Sequence, residues 1–190
     1  MAAKIAVLGA TGMVGREILN IMAERGFAVA NVTALASRKM MGAEVSFGDS
    51  ILKAKDVDEF DFSTVQMCIM ATGDAPARKY GNAIAAQGCI VIDTSRAFRN
   101  DPQVPLMVPG VNTDAIEGYS RRNIIAVPDG VTCQLVRTLK PLHDAAGVER
   151  VVVATYQSVS GEGQRAIDEL PAGRLRAAGL DVLAQEPTPP

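Results

Sequence analysis

A short apolar run, Lys4-Ile-Ala-Val-Leu8, leads without a break into Gly9-Ala-Thr-Gly12-Met-Val-Gly15, and an amphipathic stretch follows. Strand, glycine turn and helix in that order restrict the chain to an α/β fold with the turn at the carboxyl edge of a sheet. Gly9 permits the tight turn, Gly12 lets backbone N–H groups approach a pyrophosphate, and Gly15 lets helix and strand pack closely. The helix N-terminus adds its partial positive charge at the same place. Val14, Ile18, Ile21 and Met22 share one helical face, and Gly26 stands where a helix stop is needed. Three glycines at this spacing also occur in turns of other α/β proteins. With the strand before them and the helix after, they indicate dinucleotide binding by a loop of Gly9, Thr11, Gly12, Met13, Val14 and Gly15.

Strand and helix patterns keep alternating downstream. Strands are expected at 4–8, 31–36, 67–71, 90–93, 106–108 and 124–126, with helices at 12–25 and 75–87. The pattern predicts an α/β fold: a Rossmann-type, doubly wound, mostly parallel sheet over residues 1–130. Composition changes after Asp144, and the β-branched run 150–155 reads as a new strand. Residues 131–170 are therefore expected to be only the beginning of a second α+β domain, and 171–190 a divergent tail. A chain of 190 residues, 48% hydrophobic, can bury one full core of this kind. A net charge of −2 gives no reason to expect nucleic acid or an anionic membrane as partner. No apolar run approaches the roughly 20 residues that span a bilayer. No basic segment with a signal-type apolar stretch opens the chain, so a cytoplasmic protein is expected. Of the three cysteines, Cys68 and Cys89 fall in apolar runs and read as buried thiols. No Cys, His and carboxylate cluster has metal-ligand spacing, and no metal is expected.

The end of the second strand selects the dinucleotide. An NAD-selective site would place Asp or Glu there for the ribose 2′-hydroxyl. The chain reads Ala36-Ser37-Arg38-Lys39 instead, a hydroxyl and two cations suited to a 2′-phosphate. NADP is favoured over NAD; a solvated basic turn is the other reading of the same residues.

Four stretches carry a family resemblance: GATGMVG (9–15), LASRKMMG (35–42), VIDTSRAFRNDPQVPLMVPGVN (91–112) and NIIAVPDGVTCQLVRTLKPLHDAAGVERVVVATYQSVSG (123–161). Over residues 3 to about 170 the chain resembles the N-terminal half of the aspartate-semialdehyde dehydrogenase family. The resemblance implies an oxidoreductase of amino-acid biosynthesis. In such enzymes a thiolate attacks the aldehyde, hydride passes to NADP, and phosphate releases the thioester as an acyl phosphate, biosynthesis running in reverse. It implies that Arg99 holds the phosphate, a task suited to the paired donors of a guanidinium. It also implies that Gln157 orients the acyl intermediate, that Ser37 and Arg38 contact the 2′-phosphate, and that Gly73 lies near the nicotinamide.

The chain departs from the family where the chemistry should occur. The family reads Asn-Pro-Asn-Cys where this chain reads Val127-Pro128-Asp129-Gly130, so the nucleophile falls on Gly130, which has no side chain to form a thioester. Cys133 is the only nearby thiol. On a helix it would be displaced by roughly 4.5 Å and 300°, which makes it an unlikely substitute. Ser-Ala-Gly-Gly of the family is Ala71-Thr72-Gly73-Asp74 here, and Asp74 is expected to bring an unfavourable charge towards a polyanionic cofactor. Asp129 replaces an asparagine and would oppose thiolate formation. His143, the only histidine, matches a position without catalytic duty. The family's catalytic histidine and further substrate groups fall after the matched half, so this chain is expected to lack them.

Two function classes follow. One is an NADP-dependent dehydrogenase by descent, expected to be inactive as it stands and to turn over no small-molecule substrate. The other is a non-catalytic NADP-binding module, or a fused or engineered fragment, acting through a partner. Family members cover part of this domain with a returning C-terminal helix, so the chain is expected to self-associate.

Overall fold

Four residues account for the sheet's two-sided core. In β1 (Ile5–Leu8) all four side chains are buried, with Ile5 and Val7 on one face and Ala6 and Leu8 on the other. A strand with both faces covered reads as a continuous apolar run, which is why Lys4–Leu8 shows no alternation. The computed structural model describes residues 3–156.

The other strands are β2 (Val32–Ala36), β3 (Glu44–Phe47), β4 (Ser50–Lys53), β5 (Lys55–Asp56), β6 (Met67–Met70), β7 (Ile90–Asp93) and β8 (Ile124–Ala126). The helices are α1 (Met13–Glu24), α2 (Asp74–Ala86) and α3 (Gly130–Ala146). Six strands form a parallel sheet in the order β5-β2-β1-β6-β7-β8. Leu8 pairs with both Leu35 and Met70, Met70 with Asp93, and Asp93 with Ala126, so the carboxyl ends of five strands share one edge. The chain steps from β1 to β2 on one side and later to β6 on the other. The strand order therefore reverses between β1 and β6, where doubly wound sheets open a crevice.

One face is covered by α1, where Leu19 and Met22 pack with Val45 and Phe47. The other is covered by α2, where Ala77, Ile84 and Ala85 join Phe62, Val91 and Phe98. The helix starting at the glycine turn forms as expected, but its buried face is Gly15, Leu19 and Met22, at the i, i+4, i+7 spacing. Val14 and Ile21, expected on that face, are exposed. Gly26 does stop the helix, in the left-handed region with its N–H on Ala23 O.

Two expected strands are corrected. Residues 106–108 make only an isolated bridge, Leu106 to Ala126, because Pro105 and Pro109 flank the segment and proline cannot donate to a ladder. Residues 150–155 carry a strand-type composition, yet they pair with no strand among the described residues and form no regular element. The antiparallel hairpin β3–β4 is an addition. It closes on a two-residue turn at Gly48-Asp49 and lays Val45 and Phe47 on α1.

Candidate functional site

The glycine loop is held from both sides. Leu35 O accepts the N–H of Gly9 at 2.9 Å and of Ala10 at 3.1 Å, and Gly12 N–H closes the turn on Gly9 O at 3.0 Å. Gly9 has φ +86°, and a Cβ there would lie 2.3 Å from Ala71 O. A Cβ on Gly15 would lie 2.1 Å from Gly9 O, and one on Gly12 3.3 Å from the same atom. The loop thus leaves no room for side chains at Gly9 or Gly15. Gly12 caps α1 without a side-chain bond, and Arg16 is the first residue whose N–H returns into the helix, to Gly12 O at 2.9 Å. The N–H groups of Met13, Val14 and Gly15 are left facing out of the helix start. Thr11 offers its carbonyl to Arg16 Nε at 3.1 Å, which fastens the loop to the first turn.

The basic turn adjoins this loop because Leu35 of β2, whose carbonyl holds Gly9 and Ala10, lies two residues before Ser37. Ser37 caps a short 3₁₀ turn over Arg38–Met40, and Ser37, Arg38 and Lys39 are all exposed.

The third wall follows β6. Ala71 N–H donates to Leu8 O at 2.8 Å, which ties the end of β6 to that of β1. Gly73 caps α2 with no side-chain bond. Asp74, expected from sequence to bring an unfavourable charge towards the cofactor, accepts Arg96 N–H at 2.9 Å and lies 3.5 Å from Arg96 Nε. Thr72 Oγ1 is the one buried side-chain oxygen or nitrogen without a partner among the described residues. Such an atom costs about 1–3 kcal/mol. Its Cγ2 is 3.0 Å from where a Gly9 Cβ would be, so Thr72 abuts the glycine loop. A cradle without side chains, outward N–H groups and an unpartnered hydroxyl together fit a dinucleotide phosphate backbone.

A second constellation lies at the ends of β7 and β8. Phe98 is buried against Gly81 of α2, where a Cβ would come within 2.8 Å of its ring. This anchor aims Arg99 inward. Arg99 Nε donates to Val127 O at 3.1 Å, and Nη2 donates to Thr94 O at 3.0 Å. Nη1 lies 3.9 Å from Asp129 Oδ2, and the side chain is 19% exposed. Buried Asp93 accepts Ser95 N–H at 3.2 Å and Ser95 Oγ–H at 2.7 Å. Burial pushes its carboxyl up, with the Ser95 bonds and Arg99 opposing.

Asp129 caps α3, accepting Thr132 N–H at 3.0 Å and Thr132 Oγ1–H at 2.8 Å. Burial alone would push its carboxyl up; the Thr132 bonds and Arg99 outweigh it and hold the group below its ordinary value. Gly130 is the first helical residue, and a Cβ there would meet no atom within 4 Å. Cys133 turns back into its own first turn, its Sγ donating to Pro128 O at 3.7 Å. Burial, then the Asp129 charge, push this thiol up against the pull of Arg99 and Arg137. Burial also pushes Cys89 up to about 11 and Cys68 higher still.

The structure brings the residues of the glycine loop, Ser37, Arg38 and Gly73 to one edge of the sheet, with Arg99 and Gly130 further along it. Gln157 lies outside the described residues. Sequence reasoning missed Thr72, although the departure of Ala71-Thr72-Gly73-Asp74 from Ser-Ala-Gly-Gly was its signal. It also missed the Asp74–Arg96 tie, which joins residues 22 apart. Among the described residues no three His, Cys, Asp or Glu side chains gather as a metal would require, and no helix is long and apolar enough to cross a membrane.

Strand order, glycine cradle and switch point are those of a dinucleotide-binding domain of the Rossmann type. Residues 4–119 match the family described as "Semialdehyde dehydrogenase, NAD binding domain", and residues 139–188 match "Semialdehyde dehydrogenase, dimerisation domain". The chain belongs to the semialdehyde dehydrogenase family. It is 43% identical over 187 residues to an aspartate-semialdehyde dehydrogenase of Legionella pneumophila, covering 96% of this chain and 54% of that protein. With the corresponding protein of Shewanella sp. (strain DB6705) it shares 45% identity over 166 residues, 87% of this chain and 49% of the relative. The crystal structure of aspartate semialdehyde dehydrogenase II complexed with ASA from Vibrio cholerae superposes with a TM-score of 0.85 at 41% identity, over 90% of this chain and 51% of that one. The chain spans about half the length of the curated relatives it matches.

Proposed function

We propose that this chain is an NADP-binding unit of the aspartate-semialdehyde dehydrogenase type that forms no acyl-enzyme thioester as it stands. Gly130 carries this reading. It opens α3 with free space at its Cα, in the place where the family resemblance puts the nucleophile, and glycine has no group to attack a carbonyl. Cys133 supports the same conclusion, since its thiol is hydrogen-bonded back to Pro128 and disfavoured as thiolate. Asp129, 3.9 Å from Arg99, competes for the cation that an incoming phosphate would need.

The cofactor, when bound, supplies a hydride acceptor or donor, and the chain's part is to hold it. The first-turn N–H groups of α1 serve the pyrophosphate, and Ser37 and Arg38 serve the 2′-phosphate, with a hydroxyl and a guanidinium for its oxygens. Arg99, fixed by two carbonyls and 3.9 Å from the Asp129 that precedes Gly130, is suited to a substrate anion, and Gln157 keeps its proposed acyl-orienting role. Residues 1–130 serve as the dinucleotide domain, and 131–170 begin the catalytic and dimerisation domain, whose family match runs over 139–188.

Arg38→Ala tests the assignment to NADP. Its NADPH affinity should fall about 10- to 100-fold, the loss expected for one charge-assisted contact, while NADH affinity stays put. Equal losses for both nucleotides, or none, would contradict it; fluorescence titration reads either result.

We also propose self-association. Leu142 is 55% exposed and Val152 84%, in a stretch that overlaps the dimerisation-domain match. Light scattering at working concentration should give a mass above that of one chain; a clean monomer would refute this.

A further inference from the structure

Thr72 carries an unsatisfied polar atom beside the glycine loop. Its Oγ1 is closed off without a partner, yet the residue as a whole is only partly buried. Polar atoms without partners are rare in native interiors and call for a specific cause. The residue follows β6 at the strand-order reversal, and its methyl group abuts the glycine turn. Neighbouring groups do not compete for it: Ala71 N–H is committed to Leu8 O, and Asp74 to Arg96. Rotation about Cα–Cβ, a fast motion, exchanges the hydroxyl with the methyl position, which abuts the glycine turn. Ser-Ala-Gly-Gly, the segment that the resemblance aligns here, has alanine at this place and its hydroxyl one residue earlier, where this chain has Ala71.

We propose that Thr72 is a cofactor-contacting residue whose hydroxyl turns into the crevice and hydrogen-bonds a phosphate or ribose oxygen of the bound dinucleotide. The proposal rests on the crevice being a dinucleotide site. It implies an opposition that a structural threonine would not show: the hydroxyl does nothing for the unliganded fold and much for the complex. Valine keeps the β-branched shape and removes the hydroxyl.

The test uses the full 190-residue chain, comparing wild type, Thr72→Val and Thr72→Ser by thermal melts without nucleotide and by NADPH fluorescence titration. Thr72→Val should melt no lower than wild type yet bind NADPH about tenfold more weakly, the fold-change of one lost hydrogen bond. Thr72→Ser should bind within about threefold of wild type, the hydroxyl being kept. Thr72→Ala takes the place of the valine variant if that one does not fold. NADPH binding by Thr72→Val within twofold of wild type would overturn the proposal, as would a melt several degrees lower without nucleotide. Failure of the wild type itself to bind NADPH would remove the dinucleotide reading, and this proposal with it.

Discussion

Gly15→Ala is expected to lower the stability of the fold by about 3 kcal/mol and to abolish nucleotide binding. The added Cβ would stand 2.1 Å from Gly9 O, 2.7 Å from Gly9 C and 2.8 Å from Ala10 Cα. All three are backbone atoms, so no rotamer change relieves the contact. The loop cannot retreat cheaply, because Leu35 O holds both Gly9 and Ala10. Alanine's better helix propensity recovers only about 1 kcal/mol. For a chain of this size the net change corresponds to a melting temperature lower by roughly 6–12 °C. Gly118→Ala is the matched control. Its Cβ meets nothing within 4 Å, it lies inside the 3₁₀ stretch Thr113–Arg121, and the substitution should be neutral or slightly stabilising. A Gly15→Ala melt within about a degree of wild type would show that the packing of α1 on the loop is misread.

Gly130→Cys is expected to create one fast-reacting thiol in a chain that has none. Cys68 and Cys89 are buried with burial pushing both thiols up, and Cys133 is raised as well. A cysteine at residue 130 would have open space at the positive end of α3, which stabilises a thiolate although Asp129 already takes the Thr132 N–H. At neutral pH it should react with a disulfide reagent about tenfold or more faster than Cys133, whose thiol is pushed up by burial and by the Asp129 charge. Asp129 opposes this, so Asp129→Asn in the same chain should raise the rate further. The fast phase should persist in Gly130→Cys/Cys133→Ala. A rate no greater than that of wild type would mean that the start of α3 does not activate a thiol.

Local demands made much of this fold readable in the sequence. Gly9, Gly12 and Gly15 answer to a turn and a close approach that few other sequences satisfy. β1, β2, β6, β7 and β8 announce themselves as apolar runs because both faces of the sheet are covered. What was misread depends on distant neighbours. Val14 and Ile21 fit a helical stripe, but which stripe faces the sheet is decided by the hairpin β3–β4, itself signalled only by two short strands around Gly48-Asp49. The run 150–155 has strand composition without a ladder to join among the described residues. The pairing of Asp74 with Arg96 joins residues far apart in the chain and has no local signal. Thr72 is unremarkable as a letter; its hydroxyl stands out only once the packing around it is known.

The most direct test of a fold-intact NADP-binding unit is a thermal melt of the full chain titrated with NADPH and, separately, with NADH. A ligand bound only to the folded state, present at about 100 times its Kd, stabilises by about 2.7 kcal/mol, or roughly 5–10 °C at this chain length. A dose-dependent rise of that size with NADPH, and a smaller one with NADH at equal concentration, is the predicted result. A cooperative melt moved by neither nucleotide would contradict it, leaving a Rossmann fold whose crevice binds no dinucleotide.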